Sequence, residues 1–330
     1  MNRFAVVIPY FGQFKPSAAL FLNSCNRNPE IDWLVFTDCF VPENVKTGKN
    51  IRWINTSLRE IHELAEKKLN RMVNLNRVYK LCDLKAFYGI IFQDYLEEYA
   101  YWGFGDVDVV YGRIVPYLER IDYSAYDKIN WMGHLCFVRN TPQCTQAALR
   151  SVPGTIEADD VLRREDNVGY DERDYNIKCM ACGMKVYTGK WAADIDIYYW
   201  RMRCVDLRTI HHLLNTKDIR YAPKNYARQL FALIGGSVYR VYIRNRVVHL
   251  EEFAYIHFRR EVPIRFENLD EDTFIFSREG FLPLTGGRKA LEDVQTALNL
   301  IERHNNQENA LQELHCFLHY YLRRFKQKKL

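Results

Sequence analysis

Tyr101-Trp102-Gly103-Phe104-Gly105-Asp106-Val107-Asp108-Val109-Val110-Tyr111-Gly112 sets two carboxylates one residue apart inside an aromatic and β-branched run. Such a run predicts a buried strand, and side chains at i and i+2 of extended chain share one face of a sheet. Asp106 and Asp108 would then stand side by side, where like charges roughly 4 Å apart repel by about 1 kcal/mol in water and about 4 kcal/mol at a protein surface. A hard divalent cation taking oxygen ligands turns that repulsion into binding. Gly103, Gly105 and Gly112 leave room for a ligand to approach the backbone. The bland alternative is a strand that ends at the two aspartates and begins a turn.

Upstream, Leu81, Leu84, Phe87, Ile90 or Ile91 and Tyr95 recur at helical spacing, which predicts a helix from Tyr79 to Tyr95 running into the aspartate strand. Before it, Phe4 to Tyr10, Ile31 to Thr37 and Ile51 to Asn55 read as strands, with an amphipathic stretch at about 17–26. Ser57-Leu58-Arg59-Glu60 has the form of a capping box opening a helix through about Lys68. Alternating strands and helices predict an α/β fold, a mixed and mostly parallel sheet flanked by helices, whose ligands bind beyond the carboxyl ends of the strands. Asp38, Asp106 and Asp108 fall at or near such ends.

Downstream, strands are expected near Lys128 to Met132 and Cys136 to Val138, and a helix from Thr141 to Arg150. Asp159 to Asp174 is charged throughout, the composition of a mobile loop. Met184 to Thr188 and Tyr255 to Phe258 read as strands. Tyr226 to Val248 carries a helical pattern with Arg228, Arg240, Arg244 and Arg246, and helices are expected at about 289–303 and 309–328. The division expected is one catalytic domain over 1–262 and a mostly helical, basic C-terminal extension over 263–330.

The chain has 330 residues, enough for a substantial core, and a formal net charge of +5, which permits phosphate-bearing ligands without demanding nucleic acid. Its nine cysteines are scattered and odd in number, a pattern of free thiols in a reducing compartment. Cys179 and Cys182 are spaced as Cys-x-x-Cys with no second pair to complete a zinc site. No run of about eighteen apolar residues occurs, and Arg3 to Pro9 is too short for a signal segment, so a cytoplasmic protein is expected.

The stretch Tyr79 to Gly89 together with Tyr101 to Gly112 resembles bacterial capsular and surface-polysaccharide glycosyltransferases of the type A (GT-A) fold. In that group a helix with a "cD-x-K/R" element leads into "WG-x-x-D-x-D-x-x-[YF]G". Val7 to Gly12, Val35-Phe36-Thr37-Asp38 and the late Tyr255-Ile256-His257-Phe258-Arg259-Arg260 are similar to further elements of the group. The resemblance spans roughly residues 3 to 260.

It implies a Rossmann-type GT-A sheet and an enzyme, of hexosyltransferase type, moving a sugar from a nucleotide donor, UDP-linked, to a saccharide or lipid-linked saccharide in surface polysaccharide synthesis. It implies Mn2+ or Mg2+ held by Asp106, Asp108 and His257. Pro9, Tyr10 and Phe11 would line the base pocket with Tyr10 stacking on the base, and Asp38 would accept from uracil or ribose. Asp108 would coordinate the metal directly, and Asp106 would reach it, or the donor ribose, from the same face. Lys85 would contact a phosphate or sugar hydroxyl with Asp83 as its neighbour, and Arg259 and Arg260 would steady the departing diphosphate. Asp171 and Glu172 are the candidate catalytic carboxylates, for charge near the anomeric carbon or as base. His134 is a further acceptor-side candidate.

The basic end, Arg323 to Leu330, suits an anionic lipid surface at the inner face of the membrane, where lipid-linked acceptors reside; a solvated helix end explains it equally. A nucleotidyltransferase would use the same carboxylates for two metals but normally carries a Gly-rich loop after its first strand, unlike Pro9-Tyr10-Phe11-Gly12-Gln13-Phe14. A non-enzymatic nucleic-acid-binding protein would show a concentrated basic face, whereas acids interleave here.

Overall fold

The computed structural model describes residues 3–15, 18–41, 45, 47–189, 191–196, 203–204, 229–258, 272–277, 280–284 and 286–305. Its strands, in chain order, are β1 (Phe4–Pro9), β2 (Ile31–Thr37), β3 (Ile51–Asn55), β4 (Tyr101–Gly105), β5 (Val109–Tyr111), β6 (Lys128–Ile129), β7 (Leu135–Arg139) and β8 (Val186–Tyr187). They continue as β9 (Ala192–Asp196), β10 (Arg203–Cys204), β11 (Gln229–Ile234), β12 (Ser237–Arg244), β13 (Val247–Phe253), β14 (Tyr255–Phe258), β15 (Phe274–Ser277) and β16 (Gly280–Pro283). The backbone divides into two units, Met1–Val109 with Arg113–Trp191, and Val110–Gly112 with Ala192–Leu330.

The first unit is an α/β layer structure of the class its sequence predicts. Its sheet runs β3-β2-β1-β4-β7-β6-β8. The β3-β2, β2-β1, β1-β4 and β6-β8 pairs are parallel and the two pairs made by β7 are antiparallel, so the sheet is mixed and mostly parallel. Alternation sorts the strand residues by face. Ala5, Val7, Leu34, Phe36, Trp102, Phe104, Cys136 and Val138 join one core with Ile61, Ala65 and Leu69 of the helix Leu58–Leu69 and with Leu84, Phe87 and Ile91. On the other face Trp33 meets Phe21 of the helix Ala18–Asn26 edge-on, and Phe4 packs with Tyr101 and Tyr123.

The predicted capping box is present: Glu60 N donates to Ser57 Oγ at 3.2 Å and Ser57 N donates to Glu60 Oε2 at 2.7 Å. The single helix expected from Tyr79 to Tyr95 is instead a chain of short turns. 3-10 turns at Val78–Lys80 and Lys85–Phe87 alternate with α-turns at Leu81–Leu84, Tyr88–Ile91 and Gln93–Leu96. The expected mobile loop contains the helices Ala158–Arg163 and, from its end, Asp174–Ala181. The expected helix at Thr141 to Arg150 is an α-turn, Pro142–Thr145, followed by a 3-10 turn.

The second unit corrects a further reading. Tyr226 to Val248 is not helical over its described part: β11, β12 and β13 form antiparallel hairpins there. Gly235 and Gly236 turn the first, and Asn245 and Arg246, both at positive φ, turn the second, the backbone of a two-residue hairpin loop. β11 is buried at every position, and a continuous apolar run does not distinguish strand from helix.

The sheet order is β13-β12-β11-β15-β16. Leu230, Ala232, Val241, Ile275, Leu291 and Ile301 share one core, so β15 and the helices Gly287–Glu292 and Val294–Asn305 pack with β11 and β12. The boundary expected at 262/263 and the helix expected at 309–328 lie outside the described residues.

A smaller sheet, β10-β9-β14-β5, completes this unit, with β14 parallel to β9. Gly112 belongs here because a Cβ on it would lie 3.1 Å from Val238 N and 3.2 Å from Ala254 O. The space at Gly103 is likewise filled by protein, the carbonyl of Cys136, rather than kept open for a ligand. No helix among the described residues is long and apolar enough to cross a membrane.

Candidate functional site

β2, β1 and β4 are adjacent and parallel, so their carboxyl ends lie on one edge of the first unit's sheet. Asp38, Tyr10 and Asp106 each stand one residue past those ends. The chain order reverses between β1 and β4, and such a reversal opens the crevice in which α/β sheets bind ligands.

Asp106 and Asp108 do not share the face of a strand. β4 stops at Gly105 and the chain bends through Val107 and Asp108 before β5. Asp106 N donates to the carbonyl of His134 at 3.1 Å, which ties the start of the bend to the turn before β7. The bend leaves the Asp106 carboxylate half-buried and Asp108 exposed.

A cation does meet Asp106, and it is Lys85. Its Nζ lies 2.5 Å from Asp106 Oδ1 and 3.6 Å from Asp171 Oδ2, and it donates to the carbonyl of Gly133 at 3.1 Å. Burial alone would lower the lysine pKa, but Asp106 and Asp171 outweigh it and hold the ammonium well above its usual range. Lys85 is therefore charged throughout the physiological range.

Asp171 is 4 % exposed, so the reading of its segment as a solvated loop fails at this residue. Burial pushes its carboxyl up to about 7; Lys85 pulls it down, while Glu172, Asp106 and Asp83 push it further up. A carboxyl poised there exchanges a proton near neutral pH, as acid–base catalysis requires.

Gly133 sets how closely these groups approach. A Cβ at this position would fall 2.4 Å from Asp171 Oδ2, and the Gly133 amide donates to Glu172 Oε1 at 3.2 Å. The turn carrying Gly133 is held by Asn130, at φ 68°, whose side chain accepts from Trp131 N and donates to the carbonyl of Leu135. His134, buried, ends the turn with a ring nitrogen within 4.8 Å of an Asp106 carboxylate oxygen.

Asp83, expected as the neighbour of Lys85 at the donor, has its carboxylate engaged by the protein's own donors. It is fully buried and its oxygens accept from Lys80 Nζ at 2.8 Å, Val168 N at 3.1 Å and Tyr170 N at 3.1 Å. Lys80, unnoticed in the sequence, is buried with it. Nothing local marks that pair, because the amides it serves lie 85 and 87 residues away.

The expected base-binding residues divide. Phe11 is 7 % exposed and packs into the core with Ala5 and Val7. Tyr10 stacks on Phe14 with centroids 4.5 Å apart, and Phe14 meets Trp53 edge-on at 6.0 Å. Pro9 ends β1 and is half-buried. Asp38 Oδ1 accepts from Gly12 N at 3.4 Å, joining the loops after β1 and β2.

In the second unit, β14 and β9 pair so that His257 stands opposite Asp194. His257 Nδ1 lies 2.7 Å from Asp194 Oδ1, and both side chains are largely buried. A carboxylate on one ring nitrogen fixes the orientation of an imidazole and the use of its other nitrogen. Arg259 and Arg260 lie outside the described residues.

A family model described as Family of unknown function (DUF6625) matches residues 6–285, and the chain belongs to that family. No curated protein matches the sequence. Among solved structures the chain is similar to mouse xyloside xylosyltransferase 1 in its apo form, at 9% identity and a TM-score of 0.32, over 59% of this chain and 89% of that one.

Proposed function

We propose that this member of DUF6625 is a glycosyltransferase that moves a sugar from a nucleotide-sugar donor to a saccharide or lipid-linked saccharide acceptor. One observation carries the reading: at the edge of the first unit's sheet where parallel strands end, a buried lysine joins Asp106 of the Asp-x-Asp bend to a second acid, Asp171. Such a group of charges suits a ligand that brings both a diphosphate and a developing positive centre. The UDP character of the donor rests on the sequence resemblance.

Asp106 and Asp108 would hold Mn2+ or Mg2+. The donors fit a hard cation: two carboxylates, one half-buried and one exposed, with an imidazole near the first. When bound, the ion would neutralise the donor's diphosphate as it departs. Lys85 would orient the Asp106 carboxylate and supply fixed positive charge beside the same phosphates. Asp171, poised near neutrality by burial, would accept the acceptor's proton or face the oxocarbenium-like centre, with Glu172 held next to it through the Gly133 amide. Tyr10 and Asp38 would receive the base and ribose. The basic C-terminal residues would draw the enzyme to an anionic membrane surface.

The test is a thermal-shift series with UDP-glucose, UDP-galactose and UDP-N-acetylglucosamine, each with and without Mn2+, since a ligand of the folded state raises Tm by mass action. A rise with one donor that needs Mn2+ and disappears in Asp108→Ala supports the reading. The absence of a shift with every donor, or a shift indifferent to Asp108→Ala, overturns it.

A further inference from the structure

We infer that Asp83 is a positioning residue: by latching the segment 164–170 onto one face of the turns at 77–87, it fixes Asp171 and Glu172 in front of Lys85. The inference rests on the proposed transfer reaction, in which those two acids act.

Arg77, Lys80, Asp83 and Phe87 are spaced three, three and four residues apart and line one side of the broken helix. Their partners advance along the opposing segment in step. Arg77 Nη2 donates to the carbonyl of Glu165 at 2.6 Å and Lys80 Nζ to that of Asp166 at 2.9 Å. The Asp83 carboxylate accepts from the amides of Val168 and Tyr170. Phe87 stacks on the Tyr170 ring at 5.4 Å, and Tyr170 Oη donates to the carbonyl of Ala148 at 2.6 Å. The next residue is Asp171.

Without such contacts Arg163-Arg164-Glu165-Asp166-Asn167 would be a solvated run with no reason to hold one conformation. Asp83 is the centre of the latch because its bonds are charge-assisted and buried. Removing its carboxylate would strand a buried ammonium and two amides at once. Lys85, two residues on, faces the site from the same set of turns. One short stretch of chain thus places both halves of the charge cluster, Lys85 directly and Asp171 through the latch.

The experiment compares wild type, Asp83→Ala, Asp83→Asn and Lys80→Met by backbone hydrogen exchange and by Mn2+-dependent turnover of the UDP-sugar that wild type accepts. In Asp83→Ala the amides of 164–172 should exchange about tenfold faster or more while those of β1 and β2 hold. A misplaced Asp171 should lower kcat about 100-fold, with the donor KM within about threefold of wild type. Asp83→Asn, which keeps one acceptor oxygen, should recover part of both losses, and Lys80→Met should reproduce them should the alanine variant not fold. Unchanged exchange at 164–172 overturns the latch, and faster exchange with unchanged kcat overturns the positioning role. Should wild type turn over none of the UDP-sugars, the transfer reading fails separately. Crystal structures of wild type and variant then decide the inference by whether Asp171 keeps its 3.6 Å approach to Lys85.

Discussion

At the scale of single residues, the site depends on an atom that is missing. A methyl group at position 133 would collide with Asp171 Oδ2, so Gly133→Ala must push the acid away from Lys85 or spread the turn. The expected outcome is a loss of about 1–3 kcal/mol in urea unfolding, together with a large fall in turnover. Lys85→Met should cost about 3–5 kcal/mol, because it leaves the buried Asp171 and the half-buried Asp106 without their cation.

Asp171 gives the pH dependence a sign. Its carboxyl titrates at about 7 in the folded chain, above its ordinary range near 4. The folded state therefore binds this proton more tightly, and the stability it contributes is full below about pH 4 and lost as pH rises through about 7. Asp171→Asn should flatten that slope and raise stability at pH 8 by on the order of 4 kcal/mol at most, checked by denaturation at pH 5 and pH 8. The same variant should abolish transfer.

At the scale of elements, what was legible depended on how local the signal is. Ser57 and Glu60 cap a helix within one turn of sequence, and Ser57→Ala should lower stability by about 1 kcal/mol in thermal unfolding. β1, β2 and β3 announce themselves by β-branched and aromatic runs, and with Asp106 and Lys85 they made the site's edge of the sheet readable. The stretch Tyr226 to Val248 reads as helix because Arg240 and Arg244 stand four apart, as on one helical face; the pair Gly235-Gly236 is the sign of the hairpin that β11 and β12 form.

The segment around 164–172 was misread for the opposite reason. Its composition favours solvent, and contacts distant in sequence hold Asp171 inside, from Asp83 some 85 residues away and from Ala148 and Gly133 nearer by. Asp83 is expected beside the donor, and its carboxylate accepts from the backbone amides of Val168 and Tyr170.

At the scale of the whole molecule, the chain lends residues 110–112 to the second unit and then resumes the first at Arg113. β5 is an edge strand of the sheet β10-β9-β14-β5. A fragment beginning at residue 192 lacks it and exposes the flank of β14, so that fragment should aggregate or remain monomeric only with a peptide covering 107–114 supplied in trans. Size-exclusion chromatography with and without the peptide checks this; a fragment that behaves well alone would show that β5 is dispensable.

The loan of β5 also has a consequence for biosynthesis. Tyr111 leaves the ribosome long before Tyr255, against which its ring packs in the finished protein. At roughly 5–20 residues per second, the apolar strand waits roughly 7–30 s for its neighbours. During that interval the nascent polypeptide offers an unpaired β edge at residues 109–111, the kind of edge that templates pairing with another chain.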